Sequence, residues 1–424
     1  MKSQVNRTAN PGQSSSDRLE QPMTKKEVTL KTQIIKTMLA GLICAAASVL
    51  ITPLGASAAA YVRSDSVNSV VYEGSDYHIY ELYLPLGQGW NYGDLTAQTG
   101  APLADRGREA YYAGQPAAYI RSDEVNSVVY RGSNKHIYEL YLPLGAPSWK
   151  YGDLTAQTGA PLAKWGPVAY RRSDRVNAVV YVGADNHIYE LYLPFGAPGW
   201  KYGDLTAQTG APLAGSHALP AAYVRSDKVN AVVYVGADNH IYELYLPLGQ
   251  GWKYGDLTAQ TGAPLAGYEA PAAYVRSDQV NSVVYVDKNN YRIYELYLPL
   301  GQGWKYGDLT AKTGAPTADG KLSGYVRSDG VNSVVYKGSQ YIAEVYLVPG
   351  QGWKYADLTT GWSVPIIPYS APDGYRRSDN VNSVPYCGDD NHIHELYLPL
   401  GAKTWQIGDL SLQTSVTGCH PVIH

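Results

Sequence analysis

AAYVRSDKVNAVVYVGADNHIYELYLPLGQGWKYGDLTAQTGAP, residues 221–264, is the stretch that decides the fold. Ala221–Arg225 is short and small-residued. Asn230–Tyr234 is β-branched and aromatic. Gly236-Ala237-Asp238-Asn239 has turn chemistry, and His240–Leu246 is a second strong strand ended by Pro247. Gly251-Trp252-Lys253-Tyr254 opens a fourth strand, and Thr261-Gly262-Ala263-Pro264 breaks the chain. β-Branched and aromatic runs bounded by Gly, Pro, Asn and Asp read as strands. No stretch after residue 60 holds a helical period.

The unit recurs. Tyr-x-Arg-Ser-Asp-x-Val-Asn begins at Tyr61, Tyr119, Tyr170, Tyr223, Tyr274, Tyr325 and Tyr375, and Val176–Pro194 is identical to Val229–Pro247. Four strands in about 50 residues match one propeller blade, and propellers close with roughly four to eight. The expectation is an all-β, seven-bladed β-propeller with four antiparallel strands per blade, over residues 59–424. The Ala-Ala pair suits the innermost strand, where blades crowd the axis. The alternative is a six-bladed ring with the sixth unit outside it, because that unit reads Ser339-Gln340-Tyr341-Ile342-Ala343-Glu344 and lacks Thr-Gly-Ala-Pro. An insertion at Asp105–Gln115 lengthens the first interval.

The first 58 residues read differently, as a disordered N-terminus and a signal peptide. Lys25 to Lys36 is basic, Met38 to Leu54 nearly all apolar, and Gly55-Ala56-Ser57-Ala58-Ala59 is a small-residue cleavage site, with cleavage expected after Ala58. An uncleaved membrane anchor is the alternative. A lipid anchor at Cys44 fits less well behind bulky Ile43. No later stretch is long and apolar enough to span a bilayer. The expected location is therefore extracellular. Beyond residue 60 the chain carries 27 basic and 34 acidic residues, a net −7. That balance argues against a nucleic-acid partner. Cys387 and Cys419 are the two cysteines left, and export suggests that they pair as one disulfide, tying the tail to the last unit.

Three residue types recur in every unit as candidate ligand-binding groups: Glu81, Glu139, Glu190, Glu243, Glu295, Glu344 and Glu395; Trp90, Trp149, Trp200, Trp252, Trp304, Trp353 and Trp405; Arg63, Arg121, Arg172, Arg225, Arg276, Arg327 and Arg377. The Glu lies mid-strand on the face of Ile and Tyr, where a carboxylate is costly unless partnered. Either it meets Arg as an ion pair between blades, or it accepts hydrogen bonds from ligand hydroxyls. The Trp either stacks on a sugar ring or closes one blade on the next as core. The Asp of Arg-Ser-Asp, the following Asn and the Asp of Asp-Leu-Thr read as turn-fixing groups. The Gly-Ala-Asp-Asn-His turns lack a calcium ladder. His78, His136, His187, His240 and His392, one to a unit, are too dispersed to share one zinc. No nucleophile, metal or phosphate-cradling motif stands out, and neither metal nor cofactor is expected. The 39 Tyr and 9 Trp against a single Phe suit half-wet surfaces and binding sites.

Val-Val-Tyr, a Gly-Asp/Asn turn, Ile-x-Glu-Leu and Gly-Trp together resemble the fucose-specific lectin superfamily of β-propellers, over most of Tyr61–Asp409. The resemblance implies sugar bound between adjacent blades. It carries the superfamily's third-strand Glu onto Glu81, Glu139, Glu190, Glu243, Glu295 and Glu395, with an aromatic partner among the recurrent Trp or Tyr72 and its equivalents. The superfamily's second-strand Arg has no counterpart, since the nearest Arg is in Arg-Ser-Asp. That departure bears on fucose itself more than on sugar binding. The expectation is thus a secreted multivalent lectin, no enzyme, with glycans or glycoconjugates as partners and an open oligomeric state. A non-enzymatic adhesion or protein-interaction propeller is the alternative, with binding in Asp105–Gln115 or the tail after Thr360. A glycan-active enzyme fits least, because near-identical blades supply no asymmetric acid and base.

Overall fold

A computed structural model describes residues 58–105, 115–338, 340–362, 371–416 and 418–419. The signal peptide and disordered N-terminus proposed for residues 1–58, the interior of the Asp105–Gln115 insertion and residues 363–370, 417 and 420–424 of the tail after Thr360 lie outside the described residues. Ala58 itself is described, and opens the first inner strand opposite Tyr72.

Seven four-stranded antiparallel sheets follow one another along the chain, each in simple meander order. In blade 4 they are Ala221–Val224, Asn230–Val235, Ile241–Leu246 and Lys253–Asp256. The inner strand of every blade touches that of the next, and that of blade 7 touches that of blade 1, so the ring closes. The sixth unit forms a full blade, Leu322–Val326 through Trp353–Asp357, which removes the six-bladed alternative.

The second and third strands are apolar on both faces because each sheet is covered twice. Val232, Val233, Ile241 and Leu244 are fully buried, and one core cluster runs through blades 3, 4 and 5. Another joins Ile393 and Leu410 of blade 7 to Val70 and Leu82 of blade 1, closing the ring with the same packing. Small residues head the inner strands for a steric reason. A Cβ on Gly324 of blade 6 would lie 2.5 Å from the Tyr274 ring of blade 5.

Two details depart from the sequence reading. The Asn of Val-Asn does not fix its own turn. Its side chain accepts a hydrogen bond from the backbone N–H of the Ser in the preceding blade's Arg-Ser-Asp, at 2.6–2.8 Å, at all seven seams including Ser378 to Asn68. A short polar side chain at a strand start is near enough to the neighbouring blade to serve it. The second departure is the Asp-Leu-Thr step, which opens a single helical turn rather than a plain turn. In blade 4, Asp256 caps Leu257–Thr261 by accepting from Ala259 N–H, and Gly262 ends it in the left-handed region. Five residues are too few to show a period, but the Asp and Gly are helix start and stop signals.

Cys387 and Cys419 form the expected disulfide. Its position goes beyond tying the tail down. At four other seams an Ala after the helix bridges the next blade's hairpin, as Ala214 bridges Gly236, and Cys419 makes the equivalent bridge to Gly74 of blade 1. The disulfide thus fastens the seam where the first and last blades meet.

Candidate functional site

The recurrent Arg, Glu and Trp do converge, and the Arg is their hub. It leaves the inner strand at the start of a turn. Its Nη2 grips the Asp two residues on in all seven blades, and in blades 1 to 5 its Nε does so too, as in Arg276 Nε and Nη2 to Asp278 at 3.2 and 2.6 Å. Its Nη1 reaches the Glu of the third strand at 3.3–3.5 Å in all seven blades. The ion pair is therefore present, but within one blade and not between two, because the inner and third strands of one sheet bring the two side chains to the same face. The seam is crossed by the Trp instead. The guanidinium carbons of Arg172, Arg276 and Arg377 lie 5.9, 6.0 and 5.9 Å from the Trp252, Trp353 and Trp90 rings of the following blade. Trp149 is buried, and the other six Trp of this position are half-buried, so neither pure core nor free surface describes them.

The Glu is the deepest member. Glu243 is 2% exposed and Glu295 1%. Burial pushes every one of these carboxyls up, and the neighbouring Arg pulls it back. A hydroxyl adds to the pull in blades 1, 2, 5 and 7, where Ser69, Ser127, Ser282 and Ser383 each donate to their Glu at 2.5–2.9 Å. Blades 3 and 4 carry Ala178 and Ala231 instead, and Glu190 and Glu243 are pushed up to about 7.

Between blades 5 and 6 these groups line a groove of about 610 Å³. Blade 5 supplies Arg276, Asp278, Glu295, Tyr297 and Lys312, and blade 6 supplies Asn332 and Trp353. Charged and hydrogen-bonding groups on one wall thus face an indole on the other. Tyr297, with its equivalents Tyr83, Tyr141, Tyr192, Tyr245, Tyr346 and Tyr397, is half-buried and was missed among the candidates, although strand alternation puts it on the side of Glu295. Lys312 comes from the short helix and had no signal. Tyr72 and its equivalents are instead fully buried, and the hydroxyls of Tyr130, Tyr181, Tyr234 and Tyr285 donate to Pro carbonyls.

The recurrent His is part of the blade's outer edge. His78, His136, His187, His240 and His392 each bond through Nδ1 to the capping Asp at 2.7 Å, and Arg292 does the same work for Asp308 in blade 5.

No family model and no curated protein matches the chain. Solved structures do. A lectin of Burkholderia pseudomallei superposes with a TM-score of 0.62 at 14% identity, over 83% of this chain and 98% of that one. In fold, the chain resembles a lectin propeller. Two weaker likenesses are AofleA of Arthrobotrys oligospora, with a TM-score of 0.47 at 17% identity over 72% of this chain and 88% of that one, and a fungal lectin from Aleuria aurantia described as a six-bladed propeller, with a TM-score of 0.44 at 16% identity over 69% and 93%.

Proposed function

We propose that this chain is a secreted, multivalent carbohydrate-binding protein that holds sugar in the grooves between blades. The observation that carries the reading is the groove between blades 5 and 6. A sugar needs hydrogen-bonding groups for its hydroxyls and an aromatic face for its C–H face, and Arg276, Asp278 and Tyr297 stand opposite Trp353. The recurrent Arg and Trp are the groups that meet the ligand. The Glu lies beneath and fixes the guanidinium, so it acts as a positioning residue and not as the contacting acid that the resemblance implies. Repetition supplies avidity, since linked weak sites gain roughly 10²–10⁴ over one. Fucose is the sugar that the resemblance proposes. Secretion is supported by the Cys387–Cys419 bridge, which belongs to an oxidising compartment. The protein binds without turnover, because each blade repeats the same groups.

A protein-interaction propeller is the second reading. It is favoured by one observation: all seven Arg already hold both a Glu and an Asp. A glycan array separates the two. Retention on one sugar class, followed by titration with that free sugar showing several sites per chain and one fewer in Trp353→Ala, supports the lectin. An array with no bound glycan overturns it.

A further inference from the structure

Blade 7 breaks the repeat at one corner, and the break has the chemistry of a metal site. In blades 1 to 5 the second residue of the third strand is Tyr80, Tyr138, Tyr189, Tyr242 and Tyr294. The hydroxyls of Tyr80, Tyr189 and Tyr242 donate to the hairpin Asp at 2.7–2.8 Å. Burial and the neighbouring Asp keep the phenols of Tyr189 and Tyr242 protonated far above the usual range. A protonated phenol is a donor and a poor ligand.

Blade 7 has His394 in that place, within Asp389-Asp390-Asn391-His392-Ile393-His394. Its Nε2 lies 3.0 and 3.1 Å from the two oxygens of Asp390. The capping Asp409 closes the third side. One ligand atom from each of Asp390, His394 and Asp409 lies within 4.8 Å of the other two. His394 is 5% exposed, so its ring is held by packing, while the Asp390 side chain is 38% exposed and leaves an entry path. His392 stacks on His394 with centroids 6.2 Å apart and bonds through Nδ1 to Asp409 Oδ2 at 2.7 Å. Asp409 Oδ1 meanwhile accepts from Leu412 N–H at 2.8 Å. That is the outer-shell support that orients a metal-ligating carboxylate. Asp389 adds a further negative charge where blades 3 and 4 have Ala184 and Ala237.

We propose that Asp390, His394 and Asp409 bind one divalent transition-metal ion of the Zn²⁺ class. Imidazole with carboxylates suits Zn²⁺ at ~2.0–2.2 Å, and three protein ligands leave a fourth position for water. The one-His-per-blade reading excluded a zinc site because it did not count His394. The site lies on the hairpin whose Asn391 carbonyl accepts from Cys419 N–H, and Gly418, next in the chain, accepts from Ser75 N–H of blade 1. Metal would therefore brace the blade 7 hairpin that backs the closing seam.

The test is calorimetric titration of the untagged full chain, stripped with EDTA and returned to chelator-free buffer, with ZnCl₂ alone. The wild type should bind one Zn²⁺ per chain and melt at a higher temperature with it. His394→Tyr installs the residue of blades 1 to 5 and should lose that stoichiometric site while keeping the metal-free melting temperature within a few degrees. Asp390→Asn should bind at least tenfold more weakly. A wild type that takes up no Zn²⁺, or a folded His394→Tyr chain that binds it equally well, overturns the proposal.

Discussion

Blades 4 and 5 hold the same ion pair in two electrostatic states. Arg225 lies 3.5 Å from Glu243 and Arg276 lies 3.3 Å from Glu295, and both carboxylates are almost fully buried. Two groups differ, a serine hydroxyl and the Lys312 ammonium, which blade 4 replaces with Ala231 and Gln260. Ser282 donates to Glu295 at 2.9 Å, whereas Ala231 offers Glu243 nothing and its carboxyl is pushed up to about 7. A guanidinium at the long end of contact distance does not by itself hold a buried carboxylate ionised. Because blades 3 and 4 share the Ala, the ring contains two blades without that serine beside five that carry it.

The largest expected effect is on the dependence of stability on pH. Glu190 and Glu243 keep a proton in the folded chain between their usual 4.5 and about 7 that the unfolded chain releases. Their contribution to stability is thus full below pH 4.5 and lost as pH rises toward 7, by up to about 1.4 kcal/mol per pH unit for each. Denaturant unfolding of the wild type from pH 5 to 7.5 should show a steeper fall than that of Ala178→Ser/Ala231→Ser. Parallel profiles would break the comparison. Next in size is removal of the charge. Glu295→Gln at pH 7.5 should cost about 3 kcal/mol, the low end for breaking a buried pair, since Asp278 still holds Arg276. Glu243→Gln should cost clearly less, because the carboxyl it replaces is already partly neutral, and equal losses would contradict the assignment. The smallest effect sharpens the contrast by being the same in both blades. Asp256→Ala and Asp308→Ala each remove one helix cap, worth about 1 kcal/mol. Unequal losses in thermal unfolding would mean that His240 and Arg292 do not serve their capping Asp equally.

Much of this was legible before any coordinates. Ile241 through Leu246 reads as a strand covered on both sides, and the seven Tyr-x-Arg-Ser-Asp starts count the blades. The candidate site was legible as residue types and not as partners. Arg276 and Glu295 recur, but their spacing of 19 residues does not say whether the pair closes within a blade or across a seam. Asn332 reads as a turn residue and in fact serves Ser277, 55 residues away. His394 was passed over because it sits at a position that other blades give to a core aromatic.

The residue order alone therefore determined the strand pattern, the number of blades and the set of recurring polar and aromatic groups. Those depend on local propensity and on a repeat that each unit carries in full. Only the folded ring decided which carboxylate is sealed, which indole faces which guanidinium, and where two His and two Asp crowd together. Those are distances between side chains on different strands, and they exist only once sheets have packed against one another and Ser378 has met Asn68 across the closing seam.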